Sequence, residues 1–165
     1  MGQPRAPVSP AVRALRAAGV AFTEHLYEYE EHGGTAVSAR ELGVDEHTVV
    51  KTLVMETDTR EPLVVLMHGD RMVSTQRLAR AIGARRIVPC DPAVAQKHSG
   101  YMVGGTSPFG TRRAMPVYME RTILDLARIY INGGKRGFLV GLDPREVARL
   151  LAPVLVDVAV GEGTE

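Results

Sequence analysis

Three short stretches hold the residues whose types and spacing could do chemistry. Lys51 sits inside the apolar run VVKTLV. Gly104, Gly105, Thr106, Ser107 and Pro108 close a glycine-rich stretch, and Gly133, Gly134, Lys135, Arg136 and Gly137 form a second, basic one. Glycine lets backbone approach a ligand closely and lets N–H groups point at it. A loop of this kind can receive a carbonyl oxygen or an oxyanion with no side chain involved. A lysine in an apolar strand can hold a phosphate or a ribose hydroxyl in place. The chain carries 17 arginines and only three lysines, at 51, 97 and 135. A compact, tunable ammonium is therefore used where the chain's usual guanidinium is not. Each stretch also has a plainer reading. The glycines can serve a connection that needs positive φ, and the Lys51 stem can pack on a sheet while its head reaches water.

Several standard centres are excluded. GGKRG lacks both ends of a phosphate loop, because position 129 is Ile and position 136 is Arg. No GxGxxG follows a strand. Ser107 is no nucleophile elbow, since Phe109 stands where glycine is needed. The histidines at 25, 32, 47, 68 and 98 show no metal-ligand spacing and read as isolated strand or surface residues. Cys90 has no histidine near it in sequence and reads as a small buried hydrophobe. No metal and no cofactor are expected.

The elements that must position these residues read as α+β. Ser9-Pro10 is an N-cap and first-turn pair for a helix stopped by Gly19. VAFTEHLYEYE reads as a strand, and Ser38 with Glu41 as a capping box for a helix ending at Gly43. VVKTLVMET and LVVLMHG make the strongest hairpin signal. Residues 71–74 read as a short strand, Thr75 as the opening of a helix that stops at Gly83, and RRIVPC as another strand. Asp91-Pro92 opens a helix, and Pro116 marks RAMPVYME as an edge strand. Residues 127–142 read as a hairpin with Gly133-Gly134 in the turn. Asp143-Pro144 opens a last helix before VLVDVAV. Strands outnumber helices and short turns join them, which points to a mixed or antiparallel sheet.

With 165 residues, 45% hydrophobic and 24% charged, the chain is expected to form one domain over residues 9–160 behind a disordered tail at residues 1–8. No apolar run reaches the length of a membrane span, and the start does not read as a signal peptide. A single cysteine leaves no internal disulfide, so a cytoplasmic location is expected. The net charge of +1 is too balanced for a general nucleic-acid binder. Any such contact should be local, and Arg85-Arg86, Arg112-Arg113 and Lys135-Arg136 are the dense basic pairs near the candidate site in sequence.

The three stretches, in this order and spacing, resemble the YbaK/prolyl-tRNA synthetase editing-domain family of trans-editing aminoacyl-tRNA deacylases, over roughly residues 9–160. The matching pieces are VVKTLV, AQKHSGYMVGGTSPFG with its Gly-x-x-x-Pro loop, and IYINGGKRG. The wording is most similar to the free-standing branch, the cysteinyl-tRNA(Pro) deacylases. The resemblance implies a mixed, partly barrel-like sheet with surrounding helices. It implies removal of a wrong amino acid from tRNA, chiefly tRNA(Pro), with prolyl-tRNA synthetase as a possible partner. Lys51 would be the functional lysine, and Gly104, Gly105, Thr106, Ser107 and Pro108 the loop whose backbone grips the aminoacyl ester. Tyr27 would be a pocket tyrosine, and Gly133, Gly134, Lys135 and Arg136 would border the acceptor end. In the cysteine-specific branch the substrate thiol is implied to help cleave its own ester. Leu139 stands where the family often has an acidic residue, a difference that bears on substrate identity. A non-catalytic tRNA- or ribonucleoprotein-binding module on the same fold is the alternative.

Overall fold

The computed structural model describes residues 5–161. Helix α1 (Pro10–Ala17) starts where Ser9 accepts the Val12 N–H at 3.1 Å, and the chain leaves it through Gly19 at φ +70°. Strand β1 (Thr23–Leu26) covers only the middle of the expected strand. Helix α2 (Gly34–Leu42) ends at a left-handed Gly43 as expected, but it begins four residues before Ser38. Ser38 therefore lies inside the helix, buried, with its hydroxyl donating to the Thr35 carbonyl at 3.1 Å. A capping box there is ruled out, because the helix propagates from the Gly33-Gly34 turn instead.

A short 3-10 turn (Glu46–Thr48) leads into β2 (Val49–Thr57), and β3 (Pro62–His68) follows through a tight turn. After β4 (Met72–Val73) come α3 (Thr75–Ile82), capped by Ser74, and β5 (Ile87–Pro89). Helix α4 (Pro92–Ser99) stops at a left-handed Gly100. Then follow β6 (Val117–Glu120), a 3-10 turn (Arg121–Asp125), β7 (Ile129–Lys135) and β8 (Phe138–Leu142). Helix α5 (Pro144–Leu151), capped by Asp143, precedes β9 (Val154–Val156) and β10 (Ala159–Val160).

Eight strands form one mixed sheet in the order β1-β8-β7-β2-β3-β6-β9, with β5 added on β2; β4 and β10 pair separately. Two expectations change here. Strand β6 is interior, parallel to β3 on one side and to β9 on the other. Pro116 stands just before it and offers only its carbonyl, which accepts the Val64 N–H at 2.9 Å, so its missing donor costs no ladder bond. The β7–β8 turn is Arg136-Gly137, flanked by the Lys135↔Phe138 pair. Gly133 and Gly134 lie within β7, at a register shift between Asn132 and Lys135. Such a bulge re-aims the strand that carries it.

The sheet separates two sets of apolar side chains. One joins Val50, Val64, Leu66, Ile129, Ile131 and Val140 to α1, α5 and the buried Tyr101 and Phe109. On the opposite face, α2 covers Val49, Leu139 and Tyr130, and α3 covers Met55, Leu63, Val65 and Met67. Each fully buried Leu, Ile or Phe contributes about 1.5–3 kcal/mol. Ahead of α1, Ala6 packs against the first set.

The histidines are not all isolated, contrary to expectation. His68 is wholly buried and stacks on His47 with ring centres 3.7 Å apart. In its neutral form, Nδ1 donates to the His47 carbonyl at 2.8 Å and Nε2 accepts the Thr122 hydroxyl at 2.7 Å. His47 Nδ1 meets Asp70 Oδ1 at 2.8 Å. Buried Glu120 takes the N–H groups of Val158 and Ala159 at 2.8 and 3.0 Å, which ties the last strands to β6. Burial lowers the His68 pKa below the ordinary 6.5. The unfolded chain therefore takes up a proton at this position as pH falls through 6.5, while the folded chain resists it. Stability contributed by neutral His68 is present above 6.5 and is lost below it. The urea midpoint of the wild type is expected to drop between about pH 7.5 and pH 5.5. His68→Gln should flatten that drop, and an unchanged pH slope in the variant would contradict the assignment.

Candidate active site

Lys51 lies on β2 opposite Met67 of β3, half-buried. Alternation along the strand puts it on the face of Val49 and Leu53, between the apolar cluster under α2 and the one under α3. The strands beside it explain the opening. Strand β7 pairs with β2 only at Val49 and Val50, and β5 only from Met55 to Thr57. Between these pairings, among the described residues, the β2 edge next to Lys51 has no strand partner.

The next residue after the last β2–β7 pair is Lys51 on one strand and Asn132 on the other. The Asn132 amide nitrogen donates to the Gly104 carbonyl at 3.1 Å and to the Lys135 carbonyl at 3.2 Å, and its oxygen accepts the Gly134 N–H at 2.7 Å. One side chain thus ties both glycine-rich stretches together next to the lysine. Gly104 has φ +91°, and a Cβ on it would meet the Tyr29 hydroxyl at 2.6 Å. Gly105 is buried, and a Cβ there would stand 2.8 Å from the Arg136 nitrogen, so the loop lies backbone to backbone on the β7–β8 turn. The Arg136 Nε donates to the Val103 carbonyl at 2.9 Å, and its guanidinium sits 5.1 Å from the Tyr29 ring centre.

The remaining candidates divide between surface and support. Thr106 is half-buried and donates to the Met102 carbonyl at 3.3 Å. Ser107 and Pro108 are buried, and the Ser107 hydroxyl accepts the Phe109 N–H at 3.2 Å. Gly133 and Gly134 face α1: the Ser9 hydroxyl donates to the Gly133 carbonyl, and Tyr101 packs at Gly134. Tyr27 is half-buried, with its N–H donating to the Gly137 carbonyl at 2.9 Å, and it packs against the cluster of Ala39, Val49 and Leu139. Burial raises its phenol pKa. Lys135 is exposed at the turn. Of the basic pairs, Lys135-Arg136 borders the loop and Arg112-Arg113 lies beside the end of α4. Arg85-Arg86 does not flank the site. It adjoins Asp58 at the far end of β2, roughly 20 Å along the strand from Lys51.

Two residues here had no local signal. Tyr29 looked like part of an alternating acidic strand end, and Asn132 like one more strand residue. Their roles come from contacts across more than 25 positions of sequence. Cys90 matches its reading as a buried hydrophobe: burial pushes its thiol up to about 11, so it is protonated at neutral pH and inert. Among the described residues, no three His, Cys, Asp or Glu side chains are grouped to hold a metal ion. The groups brought together are therefore an amide and glycine backbone, with Lys51 at the next position of β2 after its pairing with β7. Amides of this kind can grip an ester carbonyl.

The family model of the aminoacyl-tRNA editing domain matches residues 30–150. The chain belongs to this family. The match spans Lys51, Gly104 and Asn132 and agrees with the YbaK-like resemblance of the three motifs. Among similar proteins is the "Putative Cys-tRNA(Pro)/Cys-tRNA(Cys) deacylase EbsC" of Enterococcus faecalis, 26% identical over 141 residues, which are 85% of this chain and 86% of that protein. A proline–tRNA ligase of Streptococcus equi subsp. equi is 29% identical over 104 residues, 62% of this chain but only 17% of the ligase. The editing fold itself recurs in the crystal structure of "a putative trans-editing enzyme for prolyl tRNA synthetase". Its TM-score is 0.80 at 20% identity, over 94% of this chain and all of that one.

In this editing domain, Asn132→Ala removes the bridge between Gly104 and the bulge. The single-turnover rate is expected to fall about 10²-fold, the scale of misplacing a reacting group by an ångström. The melting temperature should move little, because Asn132 lies outside the buried core. A rate within twofold of wild type would show that the bridge does not position the loop.

Proposed function

We propose that this chain is a trans-editing aminoacyl-tRNA deacylase whose substrate is Cys-tRNA(Pro). What supports the reading is a glycine loop tied to the β7 bulge by Asn132, with Lys51 next after the β2–β7 pairing, while the Ser107 hydroxyl is buried and the Cys90 thiol is held protonated. An aminoacyl ester is already activated, so positioning and charge stabilisation are enough to cleave it. Lys51 holds the terminal phosphate or ribose hydroxyls. The amides around Gly105 receive the ester carbonyl oxygen as it becomes an oxyanion, each donor contributing about 3–4 kcal/mol. The Gly105 N–H itself is committed to the Met102 carbonyl at 2.8 Å, which assigns the role to its neighbours.

The missing nucleophile is supplied by the substrate. The cysteinyl thiolate attacks its own ester carbon, the acyl–oxygen bond breaks, and the ribose oxygen leaves with a proton as the free tRNA end. The product is a four-membered thiolactone that water opens to cysteine. Leu139, buried at 4% exposure in the cluster that Tyr27 packs against, would offer a small thiol an apolar wall. Selection of tRNA(Pro) falls to a transient complex with prolyl-tRNA synthetase, whose reaction produces the error.

A panel of cysteinyl-, alanyl-, seryl- and threonyl-tRNA tests the reading, with the cysteinyl ester expected to be cleared fastest. Lys51→Ala should lower its single-turnover rate by at least about 10²-fold, and Lys51→Arg should rescue poorly because a planar fork does not replace an ammonium. Cys90→Ser and Ser107→Ala should keep most of the activity, with circular dichroism as the fold control. Dead Cys90→Ser or Ser107→Ala alongside active Lys51→Ala would replace this scheme by a covalent route. Binding of uncharged tRNA with no deacylation of any ester would identify a non-catalytic module. Activity is expected to survive excess chelator, and loss restored by zinc would expose a metal site.

A further inference from the structure

The glycine loop has cations on both sides, and they are used differently. On one side Arg136 is engaged with Tyr29 and the Val103 carbonyl. On the other, the exposed segment carrying Arg112 and Arg113 runs along the last turn of α4. The Arg112 N–H donates to the Ser99 carbonyl and the Arg113 N–H to the His98 carbonyl, each at 3.0 Å. Lys97, also exposed, belongs to the same turn. Among the described residues, none of these three side chains pairs with a carboxylate; the arginine ion pairs are those of Arg40, Arg145 and Arg149.

The ledge they form is continuous with the site. A Cβ on Gly100 would lie 3.3 Å from the Arg112 Cβ. Gly100 and Gly104 are four residues apart, so they lie within about 14 Å of each other. A nucleic-acid strand whose 3′ end is held at Gly104 and which leaves past α4 brings its preceding phosphates over the ledge. Three unpaired cations, one on the last turn of α4 and two on the segment beside it, match a row of phosphates better than a single anionic group.

We propose that Lys97, Arg112 and Arg113 form the docking surface for the phosphates of the tRNA acceptor arm, leading the 3′ end to Gly104. This rests on the deacylase reading of the site. It also gives direction: the arm leaves past α4, and the β2–β3 turn with Arg85-Arg86 stays clear of it. Those two arginines lie beside Asp58, whose carboxylate accepts the Arg85 N–H at 3.2 Å.

The test uses the whole protein and two readouts. Binding of uncharged tRNA is followed by fluorescence anisotropy over a salt series, for wild type, Arg112→Gln/Arg113→Gln, the triple variant with Lys97→Gln, and Arg85→Gln/Arg86→Gln. The double variant should weaken binding about tenfold at low salt and reduce the slope of log affinity against log salt by about one per arginine removed. The triple variant should go further, and the Arg85/Arg86 variant should match wild type. Deacylation is then measured on full aminoacyl-tRNA and on an aminoacylated adenosine. The double variant should raise KM for the tRNA, leave its kcat in place, and treat the adenosine ester as wild type does. A structural role, neutralising the carbonyl end of α4, would instead lower the melting temperature and leave KM and the salt slope unmoved. Unchanged binding in the triple variant, or equal losses on both esters, overturns the ledge. A wild type that binds tRNA with the expected salt slope but cleaves neither ester would refute the deacylase reading while leaving the ledge standing.

Discussion

At Gly105 the loop after α4 lies so close to the β7–β8 turn that a single added carbon would sit 2.8 Å from the Arg136 nitrogen. Backbone against backbone leaves no slack, and the other contacts of the site follow from it. The approach delivers Gly104 to Asn132 and Tyr29, and it lets Arg136 reach back to the Val103 carbonyl. From the far side, Ser9 fastens α1 to the bulge through Gly133, while Tyr101 and Phe109 anchor the loop's base in the main core. A loop held at both its tip and its base keeps its amides aimed without ordering them anew when ligand arrives, which is what catalysis by oriented dipoles requires.

The lysine depends on a second feature, the change of partner along β2. Because β7 leaves before β5 arrives, the sheet is interrupted beside Lys51, and helices α2 and α3 cover the face on either side of it rather than above it. The bulge at Gly133 and Gly134 serves the same opening by turning the end of β7 away from β2.

These constraints bear on the proposed chemistry, which uses no reactive side chain of the protein. The Ser107 hydroxyl and the Cys90 thiol are spent on structure, one in a turn and one in an apolar cluster. Under the proposed reading, chemistry falls to the substrate, and discrimination and reactivity become one property.

Much of this was readable from local sequence. The bounds of β2 and β3, the caps at Ser9 and Asp143, and the left-handed stops at Gly19, Gly43 and Gly83 involve residues within a few positions of one another, and local chemistry specifies them. So does the placement of Lys51 in an apolar strand and of glycines in a loop. Other features depend on which distant segment arrives next to them. Gly133-Gly134 has the composition of a turn, yet Gly137 two residues beyond the lysine takes that place, because the pairing with β8 sets the register. Pro116 has the look of an edge, but β9, more than 35 residues later, closes that side. Ser38 reads as a cap until α2 is nucleated earlier. Tyr29, Asn132 and His68 carry ordinary strand or loop signals and acquire their contacts from loop 100–110, from the bulge and from Thr122. The sequence by itself determined the reactive inventory and most element ends, since these are short-range properties. Tertiary structure alone decided which of them meet, because strand pairing and backbone packing join positions whose separation along the chain leaves no local trace.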